Sequence, residues 1–222
     1  MSVLIGLVGE SGSGKSRSAL NLNPQSTYII NIQGKSLPWR GSASSYNADT
    51  KNIANIDAWN KVQDTIVGVA TNRPEIKTIF IDDAGFIMST EFFKRASESG
   101  FNKFSEIGQH MFNIIDNSKK LREDLKIVFT FHPEVDTDLL GQSTKKIKTI
   151  GKLVDEKYTL EASFPIVLYT EVSFDKDGIA NYQFVTNRTQ TCPAKSPEGM
   201  FENLRINNDL KVVIDAIDQY YK

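Results

Sequence analysis

Residues 3–16 read VLIGLVGESGSGKS. The apolar run Val3–Val8 has the length and content of a buried strand, and Ser16–Leu22 suits a short helix that Asn23-Pro24 stops. Between them Gly9, Gly14, Lys15 and Ser16 satisfy G-x-x-x-x-G-K-[ST]. Average residue usage produces that pattern by accident in roughly one chain of this length in a hundred. Each position has a physical task. Gly9, Gly12 and Gly14 let backbone amides converge on phosphate oxygens, Glu10, Ser11 and Ser13 complete the loop, and Arg17 follows it on a helix start whose partial positive charge favours an anion. Lys15 suits the β and γ phosphates of a nucleoside triphosphate, and the Ser16 hydroxyl suits magnesium. A glycine turn that only joins strand to helix is the plain alternative; the flanking elements argue against it.

Outward from this loop, TYIINI (27–32) is a second β-branched run, and GKSLPWRGSASSYN reads as loop from its Gly, Pro and Ser content. Asp57 is placed to cap a helix in which Trp59, Val62, Ile66 and Val69 recur, ending before Pro74. TIFIDD (78–83) is an apolar strand that ends in two acids, as suits a parallel sheet covered on both faces. Helical spacing is expected over 86–98 and 104–122, and KIVFTFH (126–132) is the next strand. A polar, lysine-bearing loop then runs to about 157, with a short strand expected at 147–150. FPIVLYTEVSF and IANYQFVTN flank DKDG (175–178), a hairpin turn because Asp-Gly tolerates positive φ. NNDLKVVIDAIDQYY supplies a capped amphipathic C-terminal helix. The expected fold is α/β: one domain over 1–222, a mainly parallel sheet flanked by helices with ligand at the carboxyl ends of its strands, and a late hairpin that extends or edges it.

Asp82 ends the acidic strand, where a nucleoside triphosphatase holds magnesium, and Asp83 follows where an acid polarises the attacking water. Asp83 as a mere turn acid, and Glu10 as a rival base inside the loop, are the other readings. His132 closes the next strand, placed to sense the γ phosphate and pass its presence to the following loop, or simply to cap the strand. Gln33-Gly34-Lys35 and the adjoining Trp39 and Arg40 are placed to face the nucleotide or a partner, with simple packing as the commoner role of a loop aromatic. Lys145, Lys146, Lys148 and Lys152 suit a phosphodiester backbone, against the bland alternative of a solvated loop without interleaved aromatics. Arg188 and Lys195 are candidates for fingers reaching a neighbouring subunit's γ phosphate.

Composition narrows the class. Lysine plus arginine, 26, nearly balance aspartate plus glutamate, 27, so nucleic-acid binding requires a local patch. Cys192 stands alone, which excludes an internal disulfide framework and fits a reducing compartment. With no apolar run of membrane-spanning length, the expectation is a cytoplasmic protein without membrane contact.

The order of parts resembles the short RecA-like ATPases of bacteriophages, the group that includes the Sak-type single-strand annealing proteins. The resemblance rests on the P-loop Gly9–Ser16, the strand ending IFIDD, the strand ending FTFH, GKLVDEKY, and the hairpin leading to NRTQTCPAKSPEGMF. It implies a P-loop NTPase with a RecA-like sheet, ATP and Mg2+ as ligands, Asp82 as the magnesium acid and His132 as the polar residue closing the fourth strand. It further implies ATP hydrolysis linked to single-stranded DNA in phage recombination or replication, often as a homo-oligomer and with other recombination or replication proteins. Gln33 stands where full-length RecA proteins carry a glutamate, and no separate DNA-binding domain is recognisable. Two other readings stay open: a nucleotide or small-molecule kinase, though the candidate lid is lysine-rich rather than arginine-rich, and an adaptor switched by nucleotide that turns it over slowly.

Overall fold

The computed structural model describes residues 1–137, 141, 143–150 and 159–222. Its main sheet has eight strands: β1 (Val3–Val8), β2 (Thr27–Asn31), β3 (Ile53–Asn55), β4 (Thr78–Asp82), β5 (Lys126–Phe131), β8 (Ile166–Phe174), β9 (Ala180–Val185) and β10 (Arg205–Asn207). They lie in the order β10-β9-β8-β1-β5-β4-β2-β3. From β8 to β3 every pairing is parallel; β9 and β10 add antiparallel strands at one edge, so the DKDG hairpin extends the sheet as expected. At its turn Asp175 Oδ1 accepts from the Asp177 and Ile179 amides, and Gly178 takes φ 78°.

Alternation along the central strands explains why the sheet is covered twice. Leu4, Val8, Ile79, Ile81, Ile127, Phe129 and Phe131 pack on one face with the apolar stripes of α2 (Trp59–Asn72), α3 (Phe86–Lys94) and α4 (Asn102–Lys119). Ile5, Leu7, Phe80 and Val128 pack on the other with Leu210, Val213, Ile214 and Ile217 of α5 (Leu210–Tyr220). Each such side chain withdrawn from water contributes about 1.5–3 kcal/mol before entropy is counted. Asp209 caps α5 by accepting from the Lys211 amide, as its sequence suggests.

Three expectations are corrected. Asp57 does not cap α2: the N-cap residue is Ala58, and the Asp57 carboxylate pairs with Lys94 Nζ at 2.8 Å, a tertiary contact that outcompetes the local one. The helix expected over 86–98 ends at Lys94. The lysine-bearing stretch after His132 is not loop with a strand at 147–150; it opens as an antiparallel ribbon of β6 (Pro133–Thr137) and β7 (Ser143–Ile147). Glu134 stands directly opposite Lys146 in it, and such opposed charges stabilise a cross-strand pair. A short helix α1 (Ser42–Ser45) and the edge strand β3 were not foreseen in the stretch after β2.

Candidate active site

The parallel register brings the carboxyl ends of β1, β5 and β4 together, with Val8 opposite Phe131, Ile81 opposite Phe129 and the acids just beyond. The glycine-rich loop leaves β1 with the Gly9 amide donating to the Phe131 carbonyl at 3.0 Å. Its far side is braced: Ser13 Oγ donates to the Glu10 carbonyl at 2.7 Å, and Thr170 Oγ1 donates to Ser13 Oγ at 2.7 Å. A Cβ on Gly9 would stand 1.9 Å from Thr170 Oγ1, so only glycine lets the loop seat against β8. Gly14 takes φ 95° beside the Asn208 amide, a conformation an L side chain rarely adopts. From Ser16 to Asn21 the chain forms a 3-10 helix where a short helix is expected.

Lys15 is buried, and its Nζ donates to the Gly9 carbonyl at 2.7 Å and the Glu10 carbonyl at 2.9 Å. Burial lowers its pKa, opposed by the carboxylates of Asp83 and Asp82. Ser16 Oγ donates to Asp82 Oδ1 at 2.8 Å, which ties the loop to the acidic strand 66 residues away. Asp83 has φ 60°. In a continued strand Asp82 and Asp83 would face opposite sides of the sheet; the left-handed residue breaks the alternation, and both line the same cavity. The Asp83 amide donates to Thr130 Oγ1 at 2.7 Å, which fixes the turn to β5.

Around Asp83, Lys35 Nζ lies 3.2 Å from Oδ2 and His132 Nε2 lies 3.3 Å from Oδ1. Burial pushes this carboxyl up, but hydrogen bonds from His132 and Lys35 outweigh it and hold it below the usual range. The two neighbouring acids therefore differ. Burial pushes Asp82 up to about 6, against the hydrogen bond from Ser16. A folded pKa raised above the unfolded value means that this group destabilises the fold once pH exceeds it, and that the penalty disappears below the unfolded pKa. Asp82→Asn is thus expected to stabilise the nucleotide-free protein by about 2–3 kcal/mol above pH 6 and by nothing near pH 3. Denaturant unfolding of both proteins across pH 3–8 checks this; a gain independent of pH contradicts it.

The cavity has a volume of about 940 Å³. Ser11, Gly12 and Gly14 to Arg17 line it, as do Tyr182, Asn207 and Asn208, and Asp82, Asp83, His132, Phe86 and Lys35 cluster as its acidic end. Among the residues expected from the sequence, the structure thus brings Lys15, Ser16, Asp82, Asp83 and His132 together. Glu10 points away and pairs with Lys145 Nζ at 3.1 Å, so the rival base is engaged elsewhere. Lys146 pairs with Glu134 and Asp136, Lys148 is exposed, and Lys152 lies outside the described residues. Arg188 is exposed after β9, and the Lys195 backbone pairs with Val167. Neither lines the cavity. Trp39 packs against the core edge-on to Tyr46 at 6.1 Å, the packing role rather than a nucleotide contact. Sequence reasoning missed Thr130, Phe86 and the nearness of Lys35 to Asp83, because these depend on β4 lying between β5 and β2.

The glycine turn, the buried lysine, and a serine hydroxyl hydrogen-bonded to a strand-end carboxylate are a donor set that fits a phosphate chain and a hard divalent cation. Comparison with known proteins agrees. No curated protein matches the chain. Among solved structures it is similar to a KaiC-like protein from the hyperthermophilic archaeon Pyrococcus horikoshii, 11% identical, with 84% of this chain and 79% of that chain covered and a TM-score of 0.48, a likeness too distant to bear on chemistry. A family model described as an AAA domain matches residues 2–197. Because that match spans most of the chain, the protein belongs to the AAA domain family and is a P-loop ATPase of the α/β class.

Proposed function

We propose that the protein binds magnesium ATP in this cavity, hydrolyses it, and couples its nucleotide state to single-stranded DNA in phage recombination or replication. The observation that supports the catalytic half is the Ser16–Asp82 hydrogen bond, which ties the glycine-rich loop to the acidic strand. The amides of Ser11–Lys15 would hold the phosphates, Lys15 would neutralise their charge, and Ser16 and Asp82 would hold magnesium. The bound cation would supply positive charge to the phosphate chain. Asp83 takes a proton from water as the water oxygen bonds to the γ phosphorus, and the bond from that phosphorus to the ADP oxygen breaks. His132 holds Asp83 from its other side. Tyr182, Asn207 and Asn208, which line the same cavity, are the groups we assign to the nucleoside.

The DNA half rests on the ribbon. It springs directly from His132, the Lys148 amide donates to the His132 carbonyl at 2.9 Å, and Lys145 reaches Glu10 in the P-loop. A loop that moves with nucleotide would therefore move the lysines. Lys145, Lys148 and Lys152 are the groups we assign to phosphodiester contact, and in a homo-oligomer Arg188 and Lys195 are the candidates to reach a neighbour's nucleotide. Binding of an oligo-dT to the ATP-bound protein is expected to weaken steeply with salt, and Lys145→Ala with Lys148→Ala should reduce the slope of log K against log salt by about 1.4. Titration at several salt concentrations measures it; an unchanged slope removes these lysines from the interface.

A further inference from the structure

Lys35 sits in the loop after β2, with its backbone carbonyl held by Asn31 Nδ2 at 2.7 Å. Its backbone is thus anchored at the strand end, while the side chain beyond it is largely exposed. The side chain is 66% exposed, against 11% for Asp83, yet the ammonium comes to 3.2 Å from Asp83 Oδ2 and 5.6 Å from the Phe86 ring centroid. Lys35 also lines the same cavity as Lys15, Ser16 and both acids.

The other members of this end are fixed. Lys15 is buried and hydrogen-bonded to two carbonyls, Asp83 is held at its backbone by Thr130, and His132 packs edge-on against Phe86 at 5.6 Å. With His132 on Oδ1 and Lys35 on Oδ2, both oxygens of Asp83 are engaged. An ammonium held on Oδ2 occupies one of that oxygen's two lone-pair directions and lowers its affinity for a proton from water. Among the partners of Asp83, Lys35 is the one whose head can leave, and a terminal phosphate arriving at the acidic end offers a stronger anion within reach of the same ammonium.

We infer that Lys35 reads the γ phosphate: it clasps Asp83 until a nucleoside triphosphate binds, then transfers to the terminal phosphate oxygens and leaves Asp83 Oδ2 facing the water. Lys35 thereby sets the preference for triphosphate over diphosphate, because ADP presents no terminal group at that end and leaves the clasp closed. This rests on the reading of the cavity as a nucleoside triphosphate site.

The test is equilibrium binding of magnesium ADP and of the non-hydrolysable β,γ-imido analogue of magnesium ATP to wild type, Lys35→Met, Lys35→Arg and Lys15→Ala. Methionine keeps a flexible stem beside Phe86 and removes the charge, and thermal melting confirms folding. Lys35→Met is expected to weaken the triphosphate analogue by about ten- to hundredfold and to leave ADP within about twofold, since a charged hydrogen bond is lost for one ligand alone. Lys35→Arg should recover most of the difference. Equal weakening of both ligands, or no change in either, overturns the inference. Wild-type affinity for both ligands in Lys15→Ala instead overturns the triphosphate site itself, so the two failures are distinguishable.

Discussion

Lys15→Ala is expected to lower ATP turnover by at least about 10²–10³-fold and to weaken magnesium ATP binding severely. The ammonium is buried on the Gly9 and Glu10 carbonyls, within the field of Asp82 and Asp83. Lys35 lines the same cavity, but its ammonium is engaged by Asp83 and its side chain is largely exposed. Alanine also leaves the Gly9 and Glu10 carbonyls without the donor they share, which loosens the loop that should cradle the phosphates. Calorimetric titration with magnesium ATP and steady-state turnover together check this. Turnover within a few fold of wild type contradicts it.

Asp83→Asn is expected to reduce kcat by about 10²–10⁴-fold while ATP affinity changes little, because an amide cannot accept the proton of the attacking water. The variant is conservative where it matters. Asparagine tolerates the left-handed φ of 60° as aspartate does, so the turn that places position 83 in the cavity should persist, with its amide still on Thr130. A matched Asp82→Asn protein, expected to lose magnesium dependence instead, separates the two acids. Should kcat survive in Asp83→Asn, the base is another group.

Much of this site was legible in the chain. VLIGLV followed by GESGSGKS carries strand, cradle and lysine within local sequence, and TIFIDD announces a doubly covered strand with acids at its carboxyl end. Those signals are short-range, and the sheet register confirms their meeting point. The rest depends on partners distant in sequence. The ribbon reads as loop in sequence because its stabilising pairs, such as Glu134 with Lys146, join residues that only the observed register sets opposite each other. Asp57 looked like a cap because Lys94 lies 37 residues away. Lys35 is a candidate in the sequence without a partner, since nothing in QGK says that β2 neighbours β4. Nor does the dipeptide Asp82-Asp83 reveal that a left-handed residue turns both carboxylates to one side.

The membrane expectation has a limited structural counterpart: among the described residues no helix is long and apolar enough to cross a bilayer. The even charge balance is equally specific in what it permits. With 26 basic and 27 acidic side chains, any hold on DNA must come from a place such as the ribbon, where Lys148 is exposed and Lys145 is held by one exposed glutamate.

The central claim is that this cleft hydrolyses ATP. Release of inorganic phosphate from magnesium ATP, by wild type and Lys15→Ala, with and without single-stranded DNA, tests it most directly. The account predicts steady release by wild type that rises with DNA and is abolished in the variant. Release that persists in Lys15→Ala, or phosphate that appears on a nucleoside acceptor instead of in solution, would contradict it.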